Sequence, residues 1–125
     1  MSLISEVRQY LIDESIIDES AIFAPYSPDV DGVMIAVRDT GGTAPDTYIP
    51  IENPTFQIYI RQTTYALGEA KLNTIRDLLH RQSNVQLVVD GIYFYFIAAQ
   101  SNGGWIGKNE NGMHEFTINF YCKIR

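Results

Sequence analysis

The chain has 125 residues, a formal net charge of −6 and a pI of about 4.7. This length is typical of one domain spanning residues 1–125, and the negative charge argues against a DNA-binding module because it repels phosphates. The one cysteine, Cys122, rules out an intrachain disulfide and fits a reducing compartment. We find neither a secretory leader nor an apolar run long enough to cross a bilayer. We therefore expect synthesis in a cytoplasm and no membrane partner.

The N-terminal part of the chain combines one helical pattern with irregular segments. Apolar residues at helical spacing predict a helix from about Ser2 to Asp13. The acidic stretch from Asp13 to Ser20 and the apolar residues that follow it are expected to form a loop or short extended piece tucked against the core. Two prolines and a glycine in residues 24–32 argue against regular structure there.

The middle of the chain predicts two strands and a helix. A strand over 33–38 precedes a long loop over 39–53, and the alternation of residues 55–61 predicts the second strand. A helix from about Tyr65 to Arg81 follows, and its apolar stripe is expected to lie on the apolar face of that second strand. Gly68, within the helix, predicts a close approach to the sheet, because glycine costs about 1 kcal/mol relative to alanine in a helix interior.

The C-terminal part predicts a hairpin, a loop and a final strand. Strands over 85–89 and 92–98 would be joined at Asp90-Gly91, which is typical of a two-residue turn. Asn84 is expected to break the chain before this hairpin. A glycine-rich stretch from Ser101 to Gly112 predicts a second flexible loop, and strict alternation predicts a last strand from about His114 to Ile124. This order predicts an α+β fold: a single-layer antiparallel or mixed sheet of four to five strands with two helices packed on one face.

The face of the sheet without helices is the candidate contact surface. The chain holds eight tyrosines and six phenylalanines, more than one small core needs, and tyrosine is favoured at protein interfaces. Each tyrosine could instead simply border the sheet, Arg61 could be solvated or paired, and Trp105 could fold back as a lid on the core. The predicted interface residues, for subunit or partner contacts, are Tyr59, Arg61, Tyr93, Tyr95, Trp105 and Tyr121.

Motifs for catalysis or ligand binding are weak in this sequence. The two histidines and one cysteine do not stand at zinc-ligand spacing, and no serine occupies a nucleophile elbow. We predict no catalytic residue, no cofactor and no metal. The alternative is Asp39-Thr40-Gly41, since retroviral-type aspartic proteases use Asp-Thr-Gly in a homodimer whose two close carboxylates share a proton. Arg38 stands where such a protease has a buried apolar residue, and the long central helix does not fit that fold.

The central segment also carries a family resemblance. Asp39-Thr40-Gly41-Gly42, a proline-containing loop, the run from Asn53 to Arg61 and the following helix resemble the minor capsid or tail terminator (tail-to-head joining) proteins of long-tailed bacteriophages or prophages of Gram-positive bacteria. The resemblance extends over most of the chain. It implies a structural virion protein at the head–tail junction, assembled in the bacterial host cytoplasm, although another head–tail neck completion protein stays open as an alternative.

The same resemblance implies a set of partners. A member of this family would form a homo-oligomeric ring, expected to be a hexamer, that ends the tail tube. It would contact the major tail tube protein and the head connector proteins. DNA would pass through its channel without specific binding, which suits the acidic charge. The long loops over 39–53 and 101–112 would become ordered on contact with these partners.

Overall fold

A computed structural model describes residues 3–24, 32–43, 51–80, 82–86 and 93–125, with residues 43 and 82–86 described by their backbone. The helices are α1 (Leu3–Asp13) and α2 (Tyr65–Leu79), with one 3₁₀ turn at Glu19–Ala21. The strands are β1 (Ile22–Phe23), β2 (Met34–Thr43), β3 (Asn53–Gln62), β4 (Gln82–Gln86), β5 (Tyr93–Ala99), β6 (Gly104–Lys108) and β7 (His114–Ile124).

The strands of the described residues form one mixed sheet. Its order is β1-β2-β3-β7-β5-β4, and β6 pairs with β7 beside β5. β1 runs parallel to β2, and the other pairs are antiparallel. The predicted α+β architecture is confirmed, but the sheet has seven strands instead of four to five. The additional strands are β1, which has two residues, and β6, which lies inside the segment predicted to be a flexible loop.

Both helices pack on one face of this sheet, as predicted. Their apolar stripes meet alternate side chains of β2, β3, β5 and β7 in one core. Each fully buried leucine, isoleucine or phenylalanine contributes about 1.5–3 kcal/mol to folding. The helical residues of the core are Ile4, Val7, Leu11, Leu72, Ile75 and Leu79.

The predicted loop over 39–53 belongs partly to a hairpin, so this prediction was wrong at both ends. β2 continues to Thr43 and β3 begins at Asn53, and these two residues pair with each other. A bulge between Asp39 and Gly41 shifts the register. Gly41 has a φ of 90°, a conformation that glycine adopts without strain. The glycine that signals the end of a strand in the sequence therefore bends a strand that continues.

Smaller differences concern other element boundaries. α2 ends at Leu79 rather than at Arg81, because His80 takes an extended conformation as C-cap while its N–H still bonds to the Arg76 carbonyl. Asn84 lies inside β4 rather than breaking the chain before a hairpin. The residues after Asp13 pack Ile16 and Ile17 against the core, as predicted. The helix start at Ser2, the irregular segment at 25–31 and the Asp90-Gly91 turn lie outside the described residues.

Candidate functional site

The sheet face opposite the helices carries an ordered polar ladder across three strands. Pairing of β2, β3 and β7 places Arg38, Gln57 and Asn119 in one row. Arg38 Nη1 donates to Gln57 Oε1 at 3.1 Å, and Gln57 Nε2 donates to Asn119 Oδ1 at 3.1 Å. This row fixes the side chains of what we call the open face, defined by the outward residues of β2, β3, β5 and β7.

Tyr59 lies at the centre of the open face but is only 4% exposed. Its ring packs with Met34 and Ala36, the Arg38 guanidinium carbon stands 4.3 Å from the ring centroid, and its hydroxyl donates to Glu115 Oε2. Burial, and then the hydrogen bond and charge of Glu115, raise the pKa of Tyr59 to about 12. The alternation predicts a contact residue at this position, but the Tyr59 side chain is held by residues of the same chain.

Arg61, predicted as a contact residue beside Tyr59, also has an internal bond. Its Nε donates to the Gly32 carbonyl at 2.8 Å, and its side chain is half-buried. Arg61 lies next to Glu115 of β7 in the sheet register. The bond attaches the end of β3 to the chain segment that leads into β2.

Aromatic rings gather on the open face where β5 meets β7. The Tyr93 and Tyr95 rings stand 5.3 Å apart, and the Phe96 and Tyr121 rings 5.6 Å apart, both pairs near perpendicular. A bulge between Phe94 and Phe96 shifts the β5 register, which places Phe96 opposite Lys123 of β7. Tyr121 is 41% exposed. We call these four residues the aromatic patch: Tyr93, Tyr95, Phe96 and Tyr121.

Trp105 lies elsewhere, on β6 opposite Phe116 and therefore on the helix side of the sheet edge. Its indole N–H donates to His114 Nδ1 at 3.1 Å, and its ring centroid stands 6.2 Å from that of Tyr65 at the start of α2. Trp105 is 48% exposed and the adjacent Ile106 is 58% exposed. Trp105 is thus fixed on a strand rather than carried by a flexible loop. We call Tyr65, Trp105 and Ile106 the β6 tip.

Several of these residues are not recognisable from the sequence alone. Glu115 is recognisable only through its pairing with β3, and Ile106 only once β6 is known to be a strand. The sequence does contain a signal for the exposure of Tyr65. Thr64 caps α2 by accepting from Leu67 N at 3.2 Å, so Tyr65 and Leu67 occupy the first turn, away from the buried stripe that begins at Gly68. Large apolar residues off the buried stripe of a helix indicate a contact surface.

The described residues show little that could support catalysis. Asp39 is exposed on β2, and its Oδ1 accepts from Gly41 N at 2.8 Å, which uses the carboxylate to shape the bulge. Burial raises the pKa of Cys122 to about 12, so its thiol stays protonated at neutral pH. Within the described ranges, no cluster of three or more His, Cys, Asp or Glu residues could hold a metal ion. No helix in these ranges is long and apolar enough to cross a membrane.

Comparison with known proteins identifies the family. The model of the family described as bacteriophage tail terminator protein matches residues 10–125. A chain in a solved structure of the virion of a native gene transfer agent particle superposes with a TM-score of 0.74 at 14% identity, covering 98% of this chain and 94% of that one. At this identity the superposition shows a shared fold. A search of curated proteins gave no match. The chain therefore belongs to the bacteriophage tail terminator protein family, whose members are structural virion proteins of the tail end and not enzymes.

Proposed function

We propose that this protein ends the tail tube and joins it to the head connector as a closed ring, a hexamer, through which DNA passes. The family assignment supports a tail-terminating structural role. The observation that carries the proposal beyond the family is the presence of two separate exposed aromatic surfaces. The aromatic patch lies on the open face, and Trp105 of the β6 tip lies at the sheet edge on the helix side.

Both surfaces keep large side chains exposed outside the hydrophobic core. The helices close the core on one face of the sheet, yet Tyr121, Trp105 and Ile106 keep 41%, 48% and 58% of their surface exposed. Exposed aromatic and large apolar side chains are typical of contact surfaces. A subunit of a closed ring on a tube needs contacts with two neighbours and with the tube. Two surfaces that face different ways meet this requirement better than one continuous patch would.

The charge of the chain supports a channel that DNA can cross. The net charge of −6 makes non-specific binding to phosphates unfavourable. A strongly basic lining would retain DNA, because each neutralised phosphate adds binding free energy. An acidic ring would let DNA slide past without a stable complex.

The proposal is tested by mixing the purified protein with growing tubes of the phage's major tail tube protein. We expect rings in negative-stain images of the protein, and tubes that stop growing when it is added. A control variant Leu72→Ala removes buried core contacts and should fail through loss of folding. Tubes that elongate at the same rate with and without the folded protein would overturn the proposal.

We reject the alternative hypothesis that Asp39-Thr40-Gly41 belongs to an aspartic protease. The family consists of structural proteins, and Asp39 belongs to the β2 bulge, where its carboxylate accepts a backbone N–H. The variant Asp39→Asn separates the two functions. It keeps the acceptor oxygen for Gly41 N, so tube-ending activity should be retained, whereas a protease would lose its activity with this carboxylate.

A further inference from the structure

We propose that the aromatic patch of one subunit, with Lys123 and Arg125, binds the acidic turn after α1 of a second copy of this chain. We define the acidic turn as residues 13–20. The inference rests on the proposed ring and names the contact that would build it. It joins two different surfaces of the same chain, so it is a heterologous contact, the type that forms rings when the rotation closes.

The patch combines aromatic rings with basic side chains. Lys123 lies opposite Phe96 on the open face, and the Arg125 guanidinium carbon stands 5.6 Å from the Tyr93 ring centroid. Neither of these two cations forms an ion pair with an acid among the residues that the structure describes. Glu52 pairs with Ile124, whose side chain points into the core. Directly paired residues point to the same face, so Glu52 lies on the helix-covered side of the sheet and not beside the patch.

The acidic turn has the opposite charge and a fixed shape. Exposed acids occur at Asp13, Glu14, Asp18 and Glu19, and residues 13–20 contain no basic residue. Asp18 Oδ1 accepts from Ser20 N at 2.9 Å and from Ser20 Oγ at 3.0 Å, and these bonds lower its pKa, which keeps it charged.

Bonds to both helices hold this turn in place. Lys71 of α2 donates to the Ile16 carbonyl, and Arg8 Nη2 of α1 donates to the Glu19 carbonyl at 3.3 Å. Because the turn is already ordered, less conformational entropy is lost when it binds.

The two surfaces lie at opposite sides of the molecule. α1 packs on β1 and β2 at one side of the sheet, on the helix-covered face. The patch lies on the open face at β5 and β7, beside β4 at the other side. One copy therefore cannot place its own acidic turn on its own patch. Charge complementarity between the two surfaces would orient successive subunits in the same sense.

A charge-exchange experiment tests the contact. We would prepare Lys123→Glu, the double variant Glu14→Lys/Glu19→Lys, and the triple variant that combines them, and measure self-association by sedimentation velocity. Glu14 and Glu19 are chosen because the capping bonds of the turn belong to Asp18. Lys108→Glu and Glu69→Lys/Glu110→Lys are the matched controls, since these residues are exposed and lie outside both surfaces.

Specific outcomes are expected. Lys123→Glu and the double variant should each weaken self-association by at least about tenfold, which corresponds to roughly 1.4 kcal/mol. A one-to-one mixture of Lys123→Glu and the double variant should regain self-association. In a ring where the two alternate, each patch meets a turn of opposite charge. The triple variant should also assemble, and raising the salt concentration should weaken the wild type. The controls should associate like the wild type.

Other results would overturn the contact. Rings that form equally well with Lys123→Glu and with the double variant would exclude it and leave tail termination intact. Folded wild-type protein that sediments as a monomer at all concentrations would also exclude it. The tube-growth assay then reports on the proposed function separately, because it measures tube length rather than self-association. Circular dichroism of each variant shows whether a loss of association is a loss of folding.

Discussion

Gly68 of α2 lies directly against the ring of Phe116 in β7. A Cβ atom at Gly68 would stand 2.0 Å from Phe116 Cε1, a distance that no real contact allows. Glycine therefore sets how closely α2 approaches the sheet. The same Phe116 ring contacts Tyr65 at a centroid distance of 5.5 Å, so this approach also positions one residue of the β6 tip.

Gly68→Ala should destabilise the protein despite the better helix propensity of alanine. The gain in propensity is about 1 kcal/mol, while overpacking in a closed core costs about 1–3 kcal/mol or more. Because Phe116 is only 1% exposed, it has little room to move. We expect a lower free energy of unfolding in urea. Glu69→Ala, at the exposed neighbouring position, is the control and should change it little; a Gly68→Ala variant as stable as the wild type would contradict the close approach.

Tyr59→Phe should also lower stability. It removes the hydroxyl that donates to Glu115 and leaves that carboxylate without the bond, at a cost of about 1.5–3 kcal/mol. Tyr121→Phe is the control, since Tyr121 is exposed and its hydroxyl can bond to water. Equal free energies of unfolding for the two variants would argue against the internal role of Tyr59.

The raised pKa of Tyr59 should also make the free energy of unfolding depend on pH in the alkaline range. Its pKa is raised from 10.0 to about 12, so the folded state holds the proton more tightly than the unfolded chain. This stabilisation is fully present below pH 10 and is lost as the pH rises through 12. The loss should be smaller in Tyr59→Phe, which has no such proton. Unfolding curves measured across this range, with the ultraviolet absorbance of ionised tyrosine recorded in parallel, check the difference between the two proteins.

Cys122 should be unreactive in the folded protein. Its thiol is buried, its pKa is about 12, and its Sγ donates to the Pro54 carbonyl at 3.4 Å. Iodoacetamide requires the thiolate, so alkylation at neutral pH should be slow until a denaturant unfolds the chain. Mass spectrometry of the alkylated protein over time measures this. Rapid modification of native protein would show that the β3–β7 side of the core opens readily.

Trp105→Ala should affect assembly rather than folding. Trp105 is half exposed, so its loss should cost little stability, but interface energy often depends on such tryptophans. We expect weaker attachment to tail tubes with an unfolding midpoint close to that of the wild type. Val33→Ala is the matched control, since Val33 is also an exposed apolar residue but precedes β2, which β3 and β7 separate from β6. If the wild type, Trp105→Ala and the control variant bind tubes equally well, the β6 tip does not contact the tube.

The local patterns of the sequence predicted part of this structure. The bounds of β7, from His114 to Ile124, follow from five apolar residues that alternate there without interruption. β6 cannot be predicted in this way because Gly103, Gly104 and Gly107 are typical of loops, and the strand forms only by pairing with β7. The bulge in β5 likewise depends on a partner strand and is invisible in the local alternation.

The candidate site also has features that one strand predicts and features that depend on neighbouring strands. Exposure of Tyr121 follows from alternation along one strand, and the structure has it exposed. Burial of Tyr59 depends on Arg38 of β2 and on Glu115 of β7, which are brought together by the sheet. The alternation therefore predicts an aromatic open face but does not separate the residues that build it from those that are available for contact.

Tail length in phage particles tests the central claim most directly. Tails would be imaged from a phage lacking this protein, with and without the wild-type chain supplied from a plasmid. We expect tubes of uncontrolled length without attached heads when the protein is missing, and normal tails joined to heads when it is supplied. Tails of normal length joined to heads in the absence of the protein would contradict the proposed tail-terminating function.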